Sequence, residues 1–168
     1  MIAATSGSAI PWRLVALAIA VIVVSTQPVF LLGAGFLDMG PEFGFGTTGL
    51  GALTAAFFLT ASLSSAPLGR VVQRIGWRRA MRINAAISGA ILLGIATTAH
   101  NLTVFAAFVV GAGLVYGLAN PAANQALAEH VDPGKRALIF GLKHAGIPSS
   151  TLVAGLAIPA VMVSFGWR

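Results

Sequence analysis

Long uncharged stretches alternate with short charged segments along the chain. Residues 14–36, LVALAIAVIVVSTQPVFLLGAGF, carry no charge, and they lack the polar face that a surface helix of a soluble protein shows at a period near 3.6 residues. At about 1.5 Å per residue, a helix of this length crosses the roughly 30 Å hydrocarbon core of a bilayer. The pattern predicts an all-α transmembrane protein with five spans, at about 14–36, 47–67, 82–99, 102–127 and 137–164.

The composition agrees with a membrane protein and argues against a soluble domain. Apolar residues make up 57% of the 168 residues and charged residues only 8%, whereas soluble domains carry roughly 25% charged residues. Cysteine is absent, which excludes a disulfide framework and a thiolate metal site. The sequence has no carboxylate pair inside a span, no glycine-rich phosphate loop and no nucleophile elbow. We therefore expect no enzyme activity, no metal and no cofactor.

A strongly basic segment, GRVVQRIGWRRAMR at residues 69–82, holds five arginines. Such a segment could bind nucleic acid, but predicted spans flank it on both sides, which favours a cytoplasmic loop. With alternating spans, Arg168 lies alone on one side of the membrane, and eight basic residues lie on the other: Arg13, the five arginines of the segment, Lys135 and Arg136. The positive-inside rule then predicts a multi-pass protein of the cell membrane, with a cytoplasmic N-terminus and an external loop at 37–46.

Six positions of the basic segment form a pattern: a glycine, a polar residue followed by a base, a second glycine and a basic pair. They are Gly69, Gln73, Arg74, Gly76, Arg78 and Arg79. The pattern resembles the signature loop between the second and third spans of the major facilitator superfamily, where it acts at an inner gate. A Gln27–Pro28 break in the first span and Asn120–Pro121 in the fourth agree with this resemblance.

The resemblance implies a secondary transporter that moves a small solute by alternating access. The family fold has twelve spans in two six-helix halves, each built from inverted three-helix repeats. Because the sequence ends at SFGWR after five predicted spans, we expect a fragment that ends before the sixth span and lacks the C-terminal half of the transporter. The alternative is a non-transporting integral membrane protein or an inert remnant of a split transporter gene.

Two positions depart from the family pattern. Gln73 stands where the signature loop usually has an aspartate, so this side chain can form hydrogen bonds but supplies no charge. The resemblance therefore implies an inner gate that is held closed more weakly, or by other contacts, than in the usual family pattern. Ala107 lies four residues before Gly111, at the place where proton-driven drug exporters of the family carry an arginine. The resemblance therefore does not favour proton-coupled drug export.

Five polar residues inside the predicted spans are candidates to line a solute cavity: Gln27, Asn120, Asn124, Lys143 and Ser150. Gln27 precedes a proline, so it could contact solute or only accompany a kink in the helix. Asn120 and Asn124 lie one helical turn apart, and they could bind solute or form hydrogen bonds to neighbouring helices.

Lys143 needs an explanation because a charged residue at the centre of a membrane helix costs about 2.5–3.5 kcal/mol on insertion scales. Since it lies near the inner end of the fifth span, its side chain could extend to the lipid headgroups. It could instead face a cavity, because small residues such as Gly146 and Ser150 follow it at helical spacing. In that case Lys143 would attract an organic anion such as a small carboxylate, and Ser150 could hydrogen-bond it.

Overall fold

The computed structural model describes residues 10–165, apart from the side chains at positions 159 and 161–165. Within this range the chain forms helices and no strand, so the predicted all-α fold is confirmed. The α-helices are α1 (Trp12–Ala34), α2 (Phe36–Phe43), α3 (Thr47–Ile75), α4 (Trp77–Thr98), α5 (Leu102–His130), α6 (Arg136–His144) and α7 (Gly146–Phe165), with a short 3-10 helix at Pro133–Lys135. The predicted orientation also used the N-terminal segment at residues 1–9 and Arg168, and these residues lie outside the described range.

Four helices of the described range, α1, α3, α4 and α5, are long and apolar enough to cross a membrane. Three of them contain a proline: Pro28 in α1, Pro67 in α3 and Pro121 in α5. Membrane helices tolerate proline because neighbouring helices and hydroxyl side chains can satisfy the carbonyl groups that it frees. Asn101 caps the start of α5, where its side chain accepts a hydrogen bond of 2.9 Å from the backbone N–H of Val104.

The segment after α1 differs from the predicted loop at 37–46, because most of it forms the two-turn helix α2. Met39 and Phe43 lie at helical spacing on the buried face of α2, and the Phe43 ring stacks on Phe105 of α5 with 5.0 Å between ring centroids. The acidic residues and glycines of this segment are typical of a loop. It forms a helix because the burial of these apolar side chains stabilises it. Gly44, with φ +70°, ends the helix in a left-handed conformation.

The basic segment is also more helical than the predicted loop. α3 continues to Ile75 and α4 begins at Trp77, so Gly76 alone separates the two helices. Gly76 has φ +79°, a conformation that glycine adopts without the steric cost that a Cβ atom would bring. The arginines of the segment therefore lie in the last turns of one helix and the first turns of the next.

The fifth predicted span, at 137–164, forms two helices, α6 and α7, that meet at Ala145. Pro148 explains the division, since its ring lacks an N–H and clashes with the carbonyl group of the residue four positions earlier, His144. Proline is tolerated in the first turn of α7, where an N–H would have no partner within the helix. The division places Lys143 in the last turn of α6.

α5 lies at the centre of the bundle and packs against α1, α3 and α4, while α7 packs against α1. The contact between α3 and α5 is close because Gly113 has no side chain and lies directly against the backbone of Phe57 and the hydroxyl of Thr60. Thr60 Oγ1 also donates a hydrogen bond of 3.3 Å to the carbonyl of Val110. Small residues and hydroxyl groups of this kind are what draw helices together in membranes.

Candidate solute site

Lys143 is buried in the bundle interior, with only 1% of its surface exposed. Its Nζ atom donates hydrogen bonds to Asn124 Oδ1 at 2.7 Å and to Asn120 Oδ1 at 3.2 Å. The same atom lies 5.9 Å from the centroid of the Phe140 ring, within the range of a cation–π interaction. The amine is therefore held between α5 and an aromatic residue of its own helix.

The two asparagines lie on one face of α5, because residues four apart are neighbours on a helix surface. Asn120 is half-buried and Asn124 is exposed, so the site is open at Asn124. Tyr116 lies one turn before Asn120 on α5 and stacks on Phe57 with 5.7 Å between ring centroids. This aromatic pair connects α5 to α3 one turn before Asn120.

Among the described residues, the hydrogen-bond partners of Lys143 are two carboxamides, those of Asn120 and Asn124. An ammonium group has three donor hydrogens, and a carboxamide oxygen accepts hydrogen bonds without carrying a net charge. The two hydrogen bonds to Asn120 and Asn124 therefore stabilise the ammonium form without adding an opposite charge. An anion that reaches this site gains a charge-assisted hydrogen bond, which is stronger than one between neutral groups.

Gln27 and Ser150 form a second polar cluster, between α1 and α7. The Ser150 hydroxyl is fully buried and lies 2.7 Å from Thr26 Oγ1, while Gln27 Nε2 donates to the Ser150 carbonyl at 3.4 Å. Ser150 lies in α7, beyond the break at Ala145, whereas Lys143 lies in α6. The structure therefore brings together Lys143, Asn120 and Asn124 in one cluster, and Gln27 and Ser150 in another.

Sequence reasoning missed Asn84, a completely buried residue of α4. Asn84 Nδ2 donates to the Val115 carbonyl of α5 at 2.8 Å, and Asn84 Oδ1 accepts from Ser25 Oγ of α1 at 2.6 Å. The single hydroxyl hydrogen of Ser25 also lies within reach of the Val21 carbonyl, at 2.6 Å from Oγ. One carboxamide thus connects three helices, and a lone asparagine within an apolar span was the only signal for it.

An apolar cavity of about 280 Å³ lies beside Pro28, on the side of the bundle where α2 packs. Its wall includes Leu32, Met39, Phe105 and Ile158, and none of its lining residues carries a charge or a hydroxyl group. A charged solute would lose its hydration there without any compensating hydrogen bond, which is costly. The Lys143 cluster, rather than this cavity, has the chemistry to hold a polar solute.

The six positions of the signature pattern lie where α3, α4 and α5 meet. A Cβ atom at Gly69 would lie 3.8 Å from the Pro121 side chain of α5. The Trp77 ring lies 5.1 Å from the Arg78 guanidinium carbon and meets the His130 ring edge-on, with 5.5 Å between centroids. Three further positions of the pattern are exposed: Gln73, Arg74 and Arg79.

A bundle of helices long and apolar enough to cross a membrane, with an ionisable residue held inside it, is typical of a multi-pass membrane protein. The chain belongs to the Major Facilitator Superfamily, whose family model matches residues 14–168, and the resemblance seen in the signature segment is thereby confirmed. The superfamily comprises transporters of solutes.

Among curated proteins, the chain is similar to the voltage-gated purine nucleotide uniporter SLC17A9 of Homo sapiens, with 25% identity over 136 residues. The alignment covers 79% of this chain and 31% of the human protein, so the chain spans less than a third of the length of this relative. No solved structure matches the chain.

Proposed function

We propose that the chain forms the N-terminal part of a secondary transporter that moves a small organic anion through a membrane by alternating access. In this proposal the transporter resides in the cell membrane with a cytoplasmic N-terminus, has no enzymatic activity and acts together with a C-terminal half. The eight basic residues on one predicted side of the membrane support the orientation. The two-lobed pathway of the superfamily fold supports the need for a second half.

The observation that carries the proposal is the buried amine of Lys143 with two neutral oxygen partners, Asn120 Oδ1 and Asn124 Oδ1. A buried cation is costly in an apolar region, and a protein that needs only helix packing can place a methionine or leucine there at lower cost. An unneutralised cation beside an exposed carboxamide offers charge attraction and hydrogen bonding together. A carboxylate or phosphate group is the chemical partner that uses both.

The human relative supports an anionic solute, because its name refers to purine nucleotides and the phosphate groups of nucleotides are anionic. A bound anion would accept a hydrogen bond from Nζ of Lys143, and the amide nitrogens of Asn120 and Asn124 would donate to its remaining oxygen atoms. Asn124 is exposed, so a solute can reach the cluster from that side.

The signature segment has a separate role in this proposal, at the inner gate. Gly76 allows the abrupt turn between α3 and α4, and the exposed Arg74 and Arg79 are available to partners outside the described residues. Gln73 adds no charge, so the contacts that hold the inner gate closed would rely on hydrogen bonds. Changes at this gate should slow the conformational cycle more than they weaken solute binding.

The test compares Lys143→Met with Lys143→Arg in the whole transporter, reconstituted in vesicles at equal abundance. Lys143→Met should abolish anion uptake and Lys143→Arg should retain part of it, because only the arginine keeps the charge. Lys135→Met is the matched control, since it removes the same side chain from the 3-10 helix at Pro133–Lys135. Unchanged uptake kinetics in Lys143→Met would show that Lys143 serves only the packing of α6 on α5 and does not bind the anion.

A further inference from the structure

The two helices of the predicted fifth span are attached to different parts of the bundle. α7 lies closely on α1 from its first residue, since a Cβ atom at Gly146 would lie 3.2 Å from Ile22 Cγ2. One turn later, Ser150 Oγ lies 2.7 Å from Thr26 Oγ1 of α1. Within the described residues, the side-chain hydrogen bonds that α6 donates go to α5 and its C-cap residue instead. The break at Ala145 therefore lets α6 move with α5 while α7 stays on α1.

Arg136 attaches the first turn of α6 to the end of α5. Its Nη2 atom donates a hydrogen bond of 2.7 Å to the carbonyl of Ala128, and its Nε atom donates one of 3.1 Å to the carbonyl of Val131. The last carbonyl groups of a helix have no partner within the helix, and a cation is favourable at this negative end of the helix dipole. The fixed N–H directions of a guanidinium group suit two acceptors at once. Arg136 thus caps α5 from the neighbouring helix.

α6 carries a cation at each end, and both cations are bound to α5. Arg136 is its first residue, and Lys143 precedes its last residue, His144. Ile139 lies one turn before Lys143 on the same face and is fully buried. The two cations are seven residues apart on one unbroken helix of nine residues, which corresponds to roughly 10 Å. Because so short a helix moves as one body, a force on Lys143 also acts on Arg136.

The end of α5 that Arg136 caps lies against the signature segment. His130 is the last residue of α5, and its Nδ1 atom lies 2.9 Å from the carbonyl oxygen of Ala126. The His130 ring meets Trp77 edge-on, with 5.5 Å between ring centroids. Trp77 is the first residue of α4 and follows Gly76, the turn between α3 and α4. A continuous series of contacts therefore runs from Lys143 through α6 and the end of α5 to this turn.

We propose that Arg136 is a positioning residue that couples solute binding at Lys143 to the inner gate. The inference rests on the proposed function, because the anion acts between α5 and α6. A bound anion accepts hydrogen bonds from Nζ of Lys143 and from the amide nitrogens of Asn120 and Asn124, so it holds α6 more firmly on α5. Arg136, at the other end of α6, then holds the last turn of α5 against Trp77. Solute binding thereby stabilises the packing of the signature segment.

Hydrogen exchange and transport kinetics of the whole transporter in vesicles test this coupling, with radiolabelled benzoate as a carboxylate probe and radiolabelled adenosine monophosphate as a phosphate probe. In the unmodified protein, a saturating probe should slow amide exchange at residues 126–131 by about fivefold, the order expected for one hydrogen bond. Arg136→Gln should abolish this slowing and lower kcat by about fivefold, with the Kd of the probe unchanged within about twofold. Arg13→Gln is the matched control, since it removes an equal charge from the start of α1, and it should behave like the unmodified protein.

The unchanged Kd also shows that Arg136→Gln is folded. A normal kcat together with normal slowing of exchange in Arg136→Gln would overturn the proposal. An equal loss of probe affinity and kcat would also overturn it, because Arg136 would then act on binding itself. Lys143→Met separates this inference from the proposed function. Probe binding by Lys143→Met at the unmodified Kd would contradict the proposed function, whereas loss of binding there with no effect of Arg136→Gln would contradict only the role of Arg136.

Discussion

Lys143 Nζ lies 2.7 Å from Asn124 Oδ1, and this hydrogen bond joins α6 to α5 across 19 residues of sequence. The contact holds the amine on the side of α6 that faces α5. α6 ends at His144, one residue after Lys143. Because the acceptor is a carboxamide, the pair keeps the charge of the lysine. The proposed affinity for an anion depends on that remaining charge.

Asn124→Asp should therefore weaken anion binding. The new carboxylate would lie at hydrogen-bond distance from Nζ and neutralise Lys143 with nearly the same shape as the asparagine. We expect at least a tenfold loss in affinity, which corresponds to about 1.4 kcal/mol, measured by equilibrium binding of a labelled anion to the whole transporter. Asn124→Leu is the control, since it removes one hydrogen bond but no charge and should cost less. Equal affinity in Asn124→Asp and the parent would contradict the charge argument.

Asn84 and Ser25 should be energetically coupled. Loss of Asn84 leaves the Val115 carbonyl without its carboxamide donor and removes the acceptor that faces Ser25. In a double-mutant cycle with Asn84→Ala and Ser25→Ala, we expect a coupling free energy of about 0.5–1.5 kcal/mol, the range measured for hydrogen bonds between membrane helices. Reversible unfolding of the chain in mixed detergent micelles provides the measurement. Strict additivity of the two changes would show that the contact contributes nothing to stability.

Gly113 and Gly111 form a matched pair for the contact between α3 and α5. A Cβ atom at Gly113 would meet the backbone carbonyl of Phe57, whereas a Cβ atom at Gly111 would find open space. Gly113→Ala should lower the free energy of unfolding by about 1–3 kcal/mol through overpacking. Gly111→Ala should leave it unchanged or raise it by up to about 1 kcal/mol, because alanine favours helix. A similar effect of both substitutions in the unfolding assay would refute the proposed close approach.

Topology can be tested directly because the native chain contains no cysteine. Glu42→Cys, in the exposed part of α2, should react with a membrane-impermeant maleimide on intact cells. Gln73→Cys, in the last turns of α3, should react only after permeabilisation, since the positive-inside rule places the neighbouring arginines in the cytoplasm. The opposite labelling pattern would reverse the proposed orientation.

The positions of the membrane helices could be read from the sequence because hydropathy is a local property. The signature pattern was also readable, since Gly76 and its arginines are close together in the chain. Helix ends were less predictable. α2 is stabilised by the stacking of Phe43 on Phe105, which lies more than sixty positions away in the sequence. α6 ends at His144 because Pro148 prevents a regular helical turn there.

The partners of each polar residue were beyond the reach of sequence reasoning. Asn84 bonds to residues 59 and 31 positions away, and no periodic pattern marks such a pairing. The sequence shows Asn120, Asn124 and Lys143 as polar residues in apolar spans, but only the packing of α6 on α5 brings them together. The separation of Gln27 and Ser150 from that cluster likewise follows from the packing of α7 on α1.

The central claim is that a positive charge at position 143 binds the transported anion. The most direct measurement replaces Lys143 with cysteine in a whole transporter that is otherwise free of cysteine, and follows anion uptake in vesicles. Lys143→Cys should lose uptake. Aminoethyl methanethiosulfonate, which adds a cationic side chain of nearly lysine length, should restore it, and the neutral methyl methanethiosulfonate should not. Full uptake in unmodified Lys143→Cys, or equal restoration by both reagents, would contradict the claim.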